Sequence, residues 1–321
     1  MVQKRACCAS GKHTLPRIGV SSCLLGNNVR YDRGHCRSKF IVEDLGSYVD
    51  FHVVCPEVES GMSSPRETMS LHESPDGTRL LGNHTGNDYT EQLDKAVQRL
   101  VADPRMLGIH GFVVKAKSPS CGLNRATFTD ARGVTKRSSA GLFTQALKAA
   151  YPHMPIETEG RLNDANLRYD FLTRVFAQSR LQQVENNLSA ASLIEYHTQN
   201  KTLIRSHHET LYRELGRLIA DMTPGVDAVY DEYKAMHAEA LSYSSTSRKH
   251  HNVLMHLYGY FKKCLSESAK SDLRDVIDKY REGIVPLSVP VMMIRHLSKH
   301  FEDLYVEHQT YLQPFPVELI K

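Results

Sequence analysis

The chain has no stretch approaching the roughly 18 consecutive apolar residues that a membrane-spanning helix requires. Its first thirteen residues contain no apolar core of a secretory signal, so a cytoplasmic location is expected. No Cys-x-x-Cys pair occurs among the seven cysteines, which removes the zinc-ribbon, thioredoxin and ferredoxin spacings. A Gly-x-x-x-x-Gly-Lys phosphate loop is also missing, as are internal repeats and low-complexity tracts. Charge of one sign is scarce: the net charge is +4, with 20 basic against 16 acidic residues in 1–160 and 20 against 20 in 161–321. That mild excess suits an anionic ligand but falls short of the strongly basic composition of a dedicated nucleic-acid binder.

What is present is ordinary globular material, 41% apolar and 24% charged. At about 150 residues per domain, 321 residues predict two domains. In a reducing compartment an odd number of cysteines points to metal binding or thiol chemistry rather than disulfides.

The first half alternates apolar runs with helical periodicity, the pattern of βαβ units and a parallel sheet. Residues 17–24, 50–55 and 109–115 are predicted strands, with 154–158 a weaker fourth. Leu93, Ala96, Val97, Leu100 and Val101 recur at helical spacing after an Asp88/Glu91 cap, and Leu142, Phe143, Ala146 and Leu147 form one face of a helix over 139–150 that ends before Pro152. Residues 57–88, with four glycines and two prolines, read as an irregular functional connection. Beyond residue 160 only helical patterns remain, over 162–185, 188–197, 202–220, 224–243, 248–265, 272–280 and 289–311, with Pro224 at the first position of its helix. The expected organisation is a disordered extension over 1–14, an α/β domain over 15–160 with a Rossmann-like parallel sheet, and an all-helical domain over 161–321.

Cys23, Cys55 and Cys121 each fall at or shortly beyond the carboxyl end of a predicted strand, where open parallel sheets bind ligands. The 32 residues from Cys23 to Cys55 match one βαβ unit and make the first two strands neighbours. Three thiolates on one edge can hold zinc with an open position or an iron–sulfur cluster with one iron lacking a protein ligand; cysteine is also a common buried residue of no chemical consequence. Glu57, two residues past Cys55, is placed to donate or accept a proton, or to cap a helix. Ser118 and Ser120 supply hydroxyls beside Cys121, or satisfy turn amides.

These stretches carry a resemblance. Ser21-Ser22-Cys23-Leu24-Leu25-Gly26 with Val29-Arg30-Tyr31-Asp32, Val54-Cys55-Pro56-Glu57 with Gly61 and Pro65-Arg66, and Lys117-Ser118-Pro119-Ser120-Cys121-Gly122 resemble the thiouracil desulfidase family, in order across about residues 15–160. From about residue 190 the chain resembles a second, uncharacterised helical family, through Ser206-His207, Arg213-Glu214-Leu215-Gly216, 248–254, 259–263, Tyr280-Arg281 and Pro286-Leu287. The combination is similar to bacterial desulfidases proposed to act on 4-thiouridine in tRNA. The resemblance implies a [4Fe-4S] cluster on Cys23, Cys55 and Cys121 with one iron free, and catalytic roles for Glu57 and Ser118. It gives no role to Cys7, Cys8, Cys36 or Cys264; Cys36 is close enough in sequence to Cys23 to rival it as a ligand, and Cys264 reads as a helix-face residue.

The activity implied is a hydrolytic, non-redox removal of sulfur from thiolated uracil or uridine, the oxo base and hydrogen sulfide being the products. Soft sulfur matches soft iron, and water replaces it at the ring carbon. Arg248, Lys249, His250 and His251 with Lys262 and Lys263, and a second cluster of Arg295, His296, Lys299 and His300, are candidate contacts to tRNA, or simply solvated helix faces. Two other readings compete: a non-enzymatic iron–sulfur or zinc module that senses redox state or stress, and a sulfur-inserting enzyme, for which the activating nucleotide has no phosphate loop.

Overall fold

Apolar runs bounded by turn residues become strands, and in the computed structural model, which describes residues 15–320, they build two sheets. The strands are β1 (Arg17–Ser21), β2 (Asp50–Val54), β3 (Met69–Ser74), β4 (Gly77–Gly82), β5 (Gly111–Val114), β6 (Ala126–Thr129), β7 (Thr135–Ser139) and β8 (Ile156–Thr158). One sheet has the order β2-β1-β5-β8, every pairing parallel, and contains all four strands expected from sequence. Ile18, Val20, Phe112, Val113 and Val114 are fully buried, the near-continuous apolar character of parallel strands. β1 and β5 approach so closely that a Cβ on Gly19 would lie 2.1 Å from the ring of its register partner Phe112, so the strand pair admits only glycine there.

The helices of this half are the short α1 (Pro56–Glu59), α2 (Thr90–Val101) and α3 (Leu142–Ala150). Leu93, Val97 and Leu100 of α2 share a core with Phe143 and Leu147 of α3 and Phe112 and Val114 of β5. The cap expected from Asp88 and Glu91 does not form: Tyr89 is the N-cap residue of α2, Asp88 just before it accepts from the Thr90 amide at 2.9 Å, and Glu91 pairs with Lys95. α3 begins three residues later than expected because Ser139 is the last residue of β7.

The segment 57–88 is not the irregular connection expected. It contains β3 and β4, an antiparallel hairpin that joins β6 and β7 in a second sheet, order β4-β3-β6-β7. Leu71 and Leu80 face each other across the hairpin and are fully buried, and apart from Met69 and Leu81 the other side chains of the two strands are Ser, His, Glu, Thr and Arg. With so few apolar residues the alternation is faint, and the legible signal is the Pro75-Asp76-Gly77 turn.

Beyond Thr158 no strand occurs among the described residues. The helices are α4 (Ala165–Glu185), α5 (Ala190–His207), α6 (Glu209–Leu218), α7 (Val226–Ser242), α8 (Ser247–Phe261), α9 (Glu267–Arg281), α10 (Ser288–His300) and the short α11 (Leu304–Glu307). The break expected between 197 and 202 is absent: α5 runs through it, because Asn200, Thr202 and Ser206 are buried polar residues that interrupt the apolar pattern without interrupting the helix. α7 starts at Val226 after Gly225, so Pro224 precedes the cap instead of occupying the first turn. The segment 289–311 breaks at Phe301, where α10 ends. The chain divides into two compact units, one up to Ser179 together with the end from Glu318 onward, the other Arg180–Val317. The extension expected over 1–14 lies outside the described residues.

The second unit buries His197, His237 and His250. Burial pushes their imidazoles down to about 4, 3 and 4 respectively. All three are held neutral in the fold, whereas the unfolded chain takes up protons near pH 6.5. Their contribution is therefore complete above pH 6.5 and lost as pH falls toward 4, at up to about 1.4 kcal/mol per pH unit for each imidazole. The helical unit should unfold at clearly lower urea at pH 5 than at pH 7.5. Circular dichroism is the suitable probe, since the chain has no tryptophan; equal midpoints would contradict the burial of neutral imidazoles.

Candidate active site

Cys23 lies in the helical turn Ser22–Leu25 that follows β1. Cys55 is the extended residue that caps α1 at the end of β2. Cys121 lies in the loop after β5. β1 stands between β2 and β5, so three adjacent strands deliver the three cysteines to their carboxyl edge, as the sequence suggested. Cys121 is fixed by close backbone packing: a Cβ on Gly141 would meet the Ser120 carbonyl at 2.4 Å, and the Cys121 carbonyl accepts from Thr144 of α3 at 2.6 Å.

The thiols act on one another. Cys23 is pushed up to about 12, first by burial and then by repulsion from Cys36 and Cys55, against the pull of Lys115 and Arg30. Burial raises Cys55, and raises Cys121 well above the thiol range, with Glu57, Cys55 and Cys23 adding to it. Each thiol thus holds its proton until a cationic centre replaces it, which is how a coordinating thiol behaves. Three soft donors on adjacent strand ends fit an iron–sulfur centre in donor chemistry. Among the described residues no three His, Cys, Asp or Glu side chains gather closely enough for a single metal ion.

Cys36 belongs to this neighbourhood. Its amide donates to the Cys23 carbonyl at 2.9 Å and its sulfur accepts from Arg30 Nη1 at 2.8 Å. Cys264 is exposed in the turn after α8, not on a helix face. Cys7 and Cys8 lie outside the described residues.

Glu57, in the first turn of α1, is the best-connected side chain at this edge. Oε2 pairs with Arg66, through Nε at 2.9 Å and through Nη2. Oε1 accepts from the Ser118 hydroxyl at 3.2 Å and the Ser120 hydroxyl at 2.8 Å. Ser118 Oγ in turn accepts from the amides of Ser120 and Cys121, at 3.2 and 3.1 Å. With its lone pairs so engaged, the Ser118 proton is directed at Glu57. Sequence reasoning missed two of these partners. Ser120 read as a turn residue, yet it is fully buried and gives the shorter hydroxyl bond; Arg66 was part of a quoted motif without a role, and its distance of nine residues from Glu57 gave no sign of the contact.

In the second unit the structure separates the basic residues expected to meet RNA. Arg248, Lys262 and Lys263 are exposed. Lys249 Nζ is tied to the carbonyls of His207 and Ser244, at 2.5 and 2.9 Å. His250 is buried against the Tyr311 hydroxyl at 2.9 Å, and His251 pairs with Asp278 at 2.9 Å. On α10, His296, Lys299 and His300 are exposed and Arg295 is half-buried.

Residues 18–159 match the family described as 2-thiouracil desulfurase, and residues 201–316 match a family described as a protein of unknown function, DUF1722. The chain is 33% identical over 148 residues to the uncharacterized protein YbgA of Escherichia coli (strain K12), covering 45% of this chain and 88% of that protein. It is 29% identical over 140 residues to the uncharacterized protein YbbK of Bacillus subtilis (strain 168), covering 40% of this chain and 90% of that protein. Among solved structures, the [4Fe-4S]-dependent thiouracil desulfidase TudS aligns with a TM-score of 0.36 at 26% identity, over 46% of this chain and 93% of that one. No helix among the described residues is long and apolar enough to cross a membrane.

Proposed function

The chain belongs to the 2-thiouracil desulfurase family, with a DUF1722 domain following, and on that premise we propose that it is an iron–sulfur desulfidase that hydrolyses the thiocarbonyl of thiolated uracil, with 4-thiouridine in tRNA as its substrate. A C=S group and water give the oxo base and hydrogen sulfide, with no net change of oxidation state. The observation that carries the reading is the carboxyl edge of three adjacent strands, which has Cys23, Cys55 and Cys121 beyond the strand ends together with a carboxylate, Glu57, held by Arg66, Ser118 and Ser120.

Cys23, Cys55 and Cys121 would hold a [4Fe-4S] cluster, which when bound supplies a soft Lewis acid to polarise the thiocarbonyl. The remaining chemistry is proton movement by this chain's own residues. Arg66 occupies Oε2 and leaves Oε1 for the chemistry, with Glu57 as the proton acceptor. Oε1 is the atom with work to do: it takes a proton from the attacking water and returns it to the base or the departing sulfur. Of its two hydroxyl donors Ser118 makes the longer bond, and its displacement by water would open that lone pair while Ser120 and Arg66 keep the carboxylate in place. For the tRNA substrate the thiolated base has to leave its stack to reach this edge. Arg248, Lys262 and Lys263, exposed in the helical unit, support a backbone-binding role there.

The test is to incubate anaerobically reconstituted protein with 4-thiouridine-containing tRNA, 4-thiouridine and 2-thiouracil while following thiocarbonyl absorbance and sulfide. Loss of absorbance with one sulfide per base is expected, fastest with tRNA. An intact cluster beside unchanged spectra for all three would defeat the reading.

A further inference from the structure

The helical unit buries an arginine that no carboxylate neutralises. Arg180, in α4, is fully buried, and among the described groups only Tyr196 exerts a noticeable electrostatic effect on its guanidinium. Nη1 donates to the Pro314 carbonyl at 2.7 Å, but Nε and Nη2 are buried without a partner. Glu185, the carboxylate one and a half turns on, is occupied with Tyr230 and Lys234. A buried, uncompensated charge costs several kcal/mol, so such groups are found paired or liganded.

Two more buried groups with unmet bonds lie around the same tyrosine. His237 of α7 shares a hydrogen bond between its Nε2 and the Tyr196 hydroxyl at 3.1 Å, and its Nδ1, which carries the ring proton when the hydroxyl is the donor, is buried and unpartnered. Arg180 is the strongest charged influence on His237. Asn200 of α5 gives its amide N–H to the Tyr196 carbonyl at 2.8 Å, and its Oδ1 is buried without a donor. Tyr233 stacks on His237, with ring centroids 5.9 Å apart, and stands edge-on to Tyr196 at 6.2 Å. The inventory is two donors, Arg180 Nε and Nη2, a ring nitrogen, His237 Nδ1, that donates in one tautomer, one acceptor, Asn200 Oδ1, and a positive charge.

We propose that Arg180, His237 and Asn200 form a binding site inside the helical unit for a phosphate group that retains one protonated oxygen. The guanidinium fork takes two oxygens side by side. In its Nδ1–H tautomer the imidazole donates to an oxygen of the same group, and the P–O–H proton gives Asn200 Oδ1 the donor it lacks. A carboxylate satisfies the fork but offers nothing to Asn200. The site shares no residue with the desulfidase edge, so it stands whether or not that reading holds.

The full chain, purified anaerobically in chloride-only buffer, is melted with increasing orthophosphate, acetate or sodium chloride at matched ionic strength, and the anions released on denaturation are measured by ion chromatography. Two results support the site: a Tm rise of several degrees with phosphate and less with acetate, or one equivalent of phosphate released per chain. Either must be lost in Arg180→Met. Should that variant fail to fold, His237→Phe is expected to weaken the phosphate response at least tenfold in concentration. A wild-type chain that neither responds nor releases phosphate, equal responses to all three salts, or an unaltered response in the folded variants overturns the proposal.

Discussion

Glu57→Gln should yield protein with the full iron content and visible spectrum of the parent and a turnover rate lower by about 10²–10⁴-fold, the range expected when a positioned acid–base group is removed. The substitution keeps an oxygen for Ser118 and Ser120 and keeps the side chain's size, so the loop that presents Cys121 retains its anchor. What it removes is the negative charge facing Arg66 and the capacity to accept a proton from water. The comparison that isolates the proton-transfer role is Ser120→Ala. Ser120 also holds Oε1 but needs to transfer nothing, so its loss should cost far less than that of Glu57. The measurements are iron per chain, the visible spectrum and single-turnover decay of thiocarbonyl absorbance. If Glu57→Gln is colourless, Glu57 is a structural support of the cluster edge; if it is coloured and fully active, the proton passes through another group.

The contrast between Glu57 and Ser120 also shows how far the sequence could be read. Cys23, Cys55 and Cys121 were legible as one edge because parallel strands have a direction: a residue at the carboxyl end of each must lie on the same side of the sheet. Glu57 was legible because it follows Cys55 by two residues. Arg66 and Ser120 were not, since their role depends on the fold bringing together loops that follow different strands, and neither loop has a period. The hairpin β3–β4 was missed for another reason: only Leu71 and Leu80 are fully buried in it, too few for alternation to show. In the second unit the Arg248-to-His251 stretch read as one basic cluster, but successive helix residues point about 100° apart, so Lys249, His250 and His251 are engaged with different neighbours while Arg248 faces water.

Among the cysteines the largest expected effect is loss of the cluster itself. Cys23→Ala, Cys55→Ala and Cys121→Ala should each bind little or no iron after anaerobic reconstitution and show no desulfidase activity, because two thiolates from this edge cannot retain a cluster that already has one iron without a protein ligand. Cys264→Ala, altering an exposed turn, should match the parent in iron, colour and turnover. Cys36→Ala is the informative member of the series. Its backbone is tied to Cys23 and its sulfur is held by Arg30, so it stands beside the site without occupying the end of a strand. With three ligands at the strand ends, Cys36→Ala should keep its iron and spectrum. Assembly as fast as in the parent is the expected outcome, followed as the growth of visible absorbance. A Cys36→Ala protein that stays colourless would mean that the cluster has four protein ligands, and the iron assigned to the thiocarbonyl would then have no free position.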